Sequence, residues 1–164
     1  MATISTAAQP HIHEMPPATM LVVRTTGDPK DVAQPAIAAL FGAATAVGGP
    51  RGALRARWPN AATEARQRWM GIWGIPVDDH TTEAPETVPG EKVAVETWDY
   101  GTVAEIVHEG PYATESASVA VLHEHLESRG YHIVGPHEEE YLTMPGASVQ
   151  RTVIRYPVAP VSSV

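Results

Sequence analysis

The chain has 164 residues, no cysteine and a net charge of -8. These exclude a disulfide framework, a thiolate nucleophile and a cysteine-based metal site. With no apolar run of 18 residues and no basic-then-apolar leader, neither a membrane-spanning helix nor a secretory signal is expected, and the cytoplasm is the expected location.

The charge is uneven. Residues 1–77 carry seven Lys/Arg against four Asp/Glu, and residues 78–164 carry four against fifteen. An acidic second half argues against a nucleic-acid surface, which needs cations to neutralise phosphates, and favours cationic or neutral partners.

Residues 1–18 lack periodicity and read as a flexible tail, turning toward a strand near Ile12. His11 and His13 have the spacing to share a metal on an extended segment, but no third ligand stands near, so no metal is expected. Thr19 to Thr26 is β-branched and apolar, a buried strand. A helix is predicted from about Gln34 to Ala46, with Pro35 in its first turn and Ile37, Leu40, Phe41 and Val47 facing the core. Gly52 to Trp58 and Arg66 to Val77 read as strands. Residues 78–91 are polar and proline-bearing, a mobile linker. Lys92 to Trp98 and Thr102 to His108 alternate and are predicted to form a hairpin about Asp99-Tyr100-Gly101. Thr114 is placed to cap a helix running to Arg129, with Val119, Leu122 and Leu126 inward and Gly130 as its stop.

Gly135 to Pro145 reads as a short strand leaving at Met144-Pro145-Gly146, and Arg151 to Pro157 as the last strand. With period two, Glu139, Tyr141 and Thr143 share one face, and Glu138, Glu140 and Leu142 the other. A carboxylate beside an aromatic suits recognition of a flat or cationic ligand, or activation of a water next to one. The alternative is a solvated edge strand.

The halves look alike. Each has a strand, a helix and two strands, and they close on Ile75-Pro76-Val77 and Tyr156-Pro157-Val158. The expected fold is α+β, a tandem duplicated βαββ unit (19–77 and 92–158) with antiparallel sheets, two helices and a central ligand cleft.

The second half resembles the GyrI-like small-molecule-binding family, which includes the effector-binding domains of BmrR-type multidrug regulators. The resemblance rests on Ile106-Val107-His108-Glu109-Gly110-Pro111-Tyr112, Arg129-Gly130-Tyr131, Gly135-Pro136, Glu139-Glu140-Tyr141-Leu142 and Thr152-Val153-Ile154-Arg155-Tyr156-Pro157-Val158. It implies that the first acid of the Glu-x-Tyr-Leu phrase, Glu139, faces a ligand, with Tyr141 beside it and Tyr112 near. With no DNA-binding head in this sequence, the expectation is a stand-alone domain binding hydrophobic aromatic or cationic drugs or natural products, for resistance or sequestration. One branch of the family hydrolyses the strained cyclopropane of DNA-alkylating antibiotics. It carries phrases like His108-Glu109-Gly110-Pro111-Tyr112 and His137-Glu138-Glu139-Glu140-Tyr141-Leu142. Here Glu139 would be the general base, with Tyr141 or Tyr112 steadying the developing oxyanion. Whether the chain is an enzyme stays open at this stage. A third reading is an inhibitory protein-interaction module.

Trp58, Trp69, Trp73 and Trp98 are candidate walls of the ligand site, Trp73 first because Gly71 and Gly74 flank it, then Trp98. His108 is a further candidate. No cofactor is required, and monomer and homodimer are equally compatible with the sequence.

Overall fold

The computed structural model describes residues 9–143 and 147–162. The expected turn at Met144-Pro145-Gly146 lies outside them, as do residues 1–8. The fold is α+β and forms two compact units, one of residues 16–99 and one of residues 100–164 with the N-terminal segment. Among the described residues, no helix is long and apolar enough to cross a membrane.

In the first unit, β2 (Ala18–Thr26) pairs antiparallel with both β4 (Met70–Pro76) and β5 (Ala94–Trp98), and β3 (Arg55–Arg57) pairs with β4. The strand order is β5-β2-β4-β3. Helix α1 (Pro29–Ala46) starts five residues earlier than predicted. Asp28 accepts a hydrogen bond from Lys30 N at 3.0 Å, and Pro29 occupies the first turn. This cap and proline set the start; Pro35 instead lies inside the helix, on its exposed side, and forgoes one backbone bond there.

The buried stripe of α1 also differs from the prediction. Ala36, Ala39, Leu40, Ala43 and Ala44 face inward, while Phe41 is 41% exposed. A face of alanines lets the helix axis approach the sheet closely, and large side chains are displaced to its flanks. The segment expected as a free linker is pinned at Thr87, whose hydroxyl donates to Ala39 O at 3.0 Å beside Gly42.

The second unit repeats this plan. β6 (Gly101–Glu109) pairs with β9 (Arg151–Pro160), β9 pairs with β8 (Glu138–Tyr141), and β1 (His11–Met15) lies on the other side of β6. The order β1-β6-β9-β8 mirrors β5-β2-β4-β3. A short β7 (Tyr131–Ile133) adds to β9. Helix α2 (Glu115–Arg129) packs Leu122 and Leu126 on Ala104, Ile106, Ile154 and Val158, and ends at Gly130, whose φ of 74° favours glycine.

The registers match as well. Met20 opposes Pro76 as Val103 opposes Pro157. A Cβ on Gly52 would meet Pro76 Cγ at 2.9 Å, and one on Gly135 would meet Pro157 Cγ at 2.4 Å. In both repeats a glycine therefore lets the chain cross its own closing proline.

One expectation fails here. β5 and β6 do not form a hairpin: β5 pairs with β2, and β6 with β1. Each unit takes its edge strand from the segment that leads into the other unit's first strand. The strand expected near Ile12 is present, as His11–Met15. Alternation explains this, since Ile12 packs on the core beneath α2 while His11 and His13 face away from it.

Candidate functional site

Strand β8 divides its acids as the period of two requires. Glu138 and Glu140 both reach Arg155 of β9, at 2.7 and 3.3 Å. Arg155 is only 5% exposed and also donates to Glu105 at 2.7 Å. Burial alone would lower the guanidinium pKa, but the charges of Glu105 and Glu138 outweigh it and raise it. Tyr100 donates to Glu138 at 3.0 Å, and Arg155 lies over the Tyr100 ring. This face is an internal ion network and not a solvated edge.

Glu139, on the opposite face, is 8% exposed. It meets Glu115, the first residue of α2. The Glu115 carboxyl is pushed up to about 8, first by lost hydration and then by the hydrogen bond and charge of Glu139. At neutral pH Glu115 therefore holds its proton toward Glu139, since two neighbouring carboxylates resist ionising together. His137, two residues before Glu139 on the same side, brings Nε2 to 3.8 Å from Glu139 Oε2. Its Nδ1 shares a 2.8 Å hydrogen bond with the Tyr156 hydroxyl. Tyr112 sets its ring edge-on to Tyr141 at 6.0 Å and is half-exposed. Burial first, then the charges of Glu139 and Glu115, raises the pKa of both Tyr112 and Tyr156. The phenols therefore keep their protons and remain donors.

The site is thus two carboxyls sharing a proton, an imidazole and three phenols. Glu115, His137 and Glu139 could also converge on a cation, their donor atoms lying within 4.8 Å of one another. The second repeat alone carries this chemistry. Ala56 opposes Trp73 as Glu139 opposes Ile154. By the same register Leu54 and Ile75 stand where His137 and Tyr156 stand, and all three are buried apolar residues.

Of the predicted residues, Glu139, Tyr141 and Tyr112 come together. His108 does not offer a free ring nitrogen. Its Nδ1 is 2.7 Å from Ser118 Oγ, and its Nε2 is 3.0 Å from Pro111 O. These contacts tie it to the turn that carries Tyr112 and Glu115. Thr114 takes the N-cap position of α2 as predicted, but its hydroxyl donates to Pro111 O at 2.8 Å, within the same turn, instead of to the helix. Trp58, Trp69, Trp73 and Trp98 belong to the other unit. Trp73 Nε1 donates to Thr25 Oγ1 at 3.0 Å, and its ring stands edge-on to Trp58 at 5.1 Å. Trp98 fills the space over Gly74, with Arg57 3.9 Å above its ring.

Glu115, His137 and Tyr156 were not singled out from sequence as parts of this site. For Glu115 a signal existed. Residues 115, 119, 122 and 126 form one helical stripe, and a glutamate heading an otherwise apolar stripe is a buried acid in need of a partner.

No family model matches the chain, and no curated protein matches it by sequence. Solved structures do match. The crystal structure of an uncharacterized conserved protein from Listeria innocua aligns with a TM-score of 0.81 and 21% identity, over 94% of each chain. A crystal structure described as a hydrolase from the same organism aligns at 0.78 and 20%, over 95% of this chain and 94% of that one. The EcmrR C-terminal domain aligns at 0.70 and 15%, over 94% of this chain and 99% of that one. At these identities the likeness shows a shared fold, consistent with the GyrI-like resemblance.

Proposed function

We propose that this chain binds a hydrophobic aromatic small molecule bearing a cationic or hydrogen-bonding group, seated against Glu139, Tyr112 and Tyr141. The observation that carries the reading is a carboxyl pair, buried Glu139 against half-buried Glu115, edged by phenols of which one is half-exposed. Stacking on Tyr contributes roughly 0.5–1.5 kcal/mol per ring beyond burial. A cation over such faces gains about 0.5–2 kcal/mol more. Sequestration of a toxic compound is the role such binding would serve.

A second reading, cofactor-free hydrolysis, is favoured by the shared proton and by the hydrolase title of one structural neighbour. Glu139 would take a proton from water as the oxygen attacks a strained ring. Glu115 would return a proton to the opposite end, so that one water is added in total. Tyr112 or Tyr141 would donate to the oxygen on which charge develops.

The experiment is incubation with planar aromatic compounds, including a cyclopropane-bearing alkylator, read by calorimetry and mass spectrometry. Binding without chemical change, weakened at least tenfold in Glu139→Gln, supports the first reading. A product one water heavier, formed over many turnovers and lost in Glu139→Gln, supports the second. Binding equal in Glu139→Gln and in Tyr112→Ala refutes both.

A further inference from the structure

We propose that His11, His13 and Glu105 form a binding site for a divalent transition-metal ion of the zinc type, on the outer face of the β1–β6 ladder. Sequence spacing leaves the two histidines without a third ligand, and the fold supplies it. His11 lies directly opposite Glu105 in the antiparallel register, and His13 follows two residues on, on the same face. Their Nε2 atoms lie 3.3 and 3.0 Å from the same oxygen, Glu105 Oε1. Two donors each about 2.1 Å from one ion stand about 3.0–3.4 Å apart at right or tetrahedral angles. Both measured separations therefore fall at or within that range. The two imidazoles stack at 4.8 Å between ring centres, so their donor ends point to a common region. All three donor atoms lie within 4.8 Å of one another, and a rotamer adjustment of the exposed His11 closes the remainder.

The protonation pattern suits a ligand set. His13 Nδ1 lies 3.2 Å from Glu14 O, to which it can only donate. In the neutral ring that bond places the proton on Nδ1 and the lone pair on Nε2. The same Nε2 is shielded from solvent and has no well-directed hydrogen bond. As the neutral ring, His13 offers that lone pair to a cation shared with Glu105 Oε1, 3.0 Å away. Glu105 is held as metal ligands usually are. Its other oxygen, Oε2, accepts from Arg155 Nε at 2.7 Å. Arg155 is shared with Glu138 and Glu140, which spreads its positive charge over three carboxylates. Two imidazoles and one carboxylate suit zinc with one or more positions left to water. The ion would fasten β1 to β6 and is independent of the Glu115–Glu139 cluster.

The test titrates chelator-treated, desalted protein with Zn2+ by calorimetry, and with Co2+ by visible absorption. One equivalent should bind, with the absorption of a nitrogen- and oxygen-ligated ion. His11→Gln, at an exposed position that cannot disturb the core, should weaken binding at least tenfold. His11→Gln with His13→Gln should abolish it while circular dichroism is unchanged. His137→Gln, which alters the other cluster, should retain it. Absence of stoichiometric uptake overturns the proposal, as does uptake lost in His137→Gln but kept in the double variant.

Discussion

Replacement of Glu115 by Gln tests the proton sharing directly. In the folded protein the Glu115 carboxyl titrates at about 8, against an ordinary 4.5. Taken in full, that interval corresponds to about 5 kcal/mol of preference for the protonated form. Water reaches part of the carboxyl, so screening reduces the measurable effect to roughly 2 kcal/mol. The sign follows from the raised value. The folded state holds the proton more tightly than the unfolded chain, so the contribution is complete below about pH 4.5 and is lost as pH rises through about 8. Gln keeps an N–H donor toward Glu139 and cannot ionise. Urea unfolding of both proteins between pH 4.5 and 9 should therefore show matching stability at the acid end. At the alkaline end the Gln variant should be the more stable by roughly 2 kcal/mol. Because the other titrating groups are present in both proteins, their contributions largely cancel in the difference. A difference that stays flat across this range would refute the shared proton and remove the ground for assigning Glu115 an acid role.

Arg155→Met should destabilise the protein by about 3 kcal/mol or more, because Glu138, 2% exposed, and Glu105 lose the guanidinium that offsets their desolvation; chemical denaturation measures it, and a loss under 1 kcal/mol would contradict the buried network. Gly135→Ala should cost about 1–3 kcal/mol, since its methyl meets Pro157 Cγ at 2.4 Å. It should also weaken ligand binding through His137, two residues on, so that melting and calorimetry move together; an unchanged melting temperature would refute the crossing.

The sequence discloses those parts of the fold whose signals are local. Helix α2 is legible from Leu122, Leu126 and the glycine stop at Gly130, and the two faces of β8 from simple alternation. Helix α1 is misread because alanine is a weak hydrophobic signal, so the eye takes Phe41 and Ile37 for the core face. The strand exchange is invisible for another reason. A hairpin and an exchanged edge have the same alternation, and only the partner differs. The site divides similarly. Glu139 and Tyr141 share a strand, and their spacing places them together. Glu115 meets Glu139 only because the turn pinned by His108 aims the first residue of α2 at β8, and no spacing rule encodes that meeting.

The exchanged edge strands also impose an order on biosynthesis. Residues 16–99 contain every strand of their own unit and can close as soon as β5 has been made. β1 is made before the other described strands, yet its partner β6 is among the later ones. At about 5–20 residues per second, β1 waits roughly 5–20 seconds for β6. During that interval a short strand flanked by Pro10 and the Pro16-Pro17 pair, with histidines on one face, is poorly suited to pairing with a neighbouring nascent chain. The second unit is thus assembled from the first and last parts of the described chain to be made. A released fragment of residues 1–100 should already protect β2 and β4 from proteolysis while leaving β1 open to cleavage.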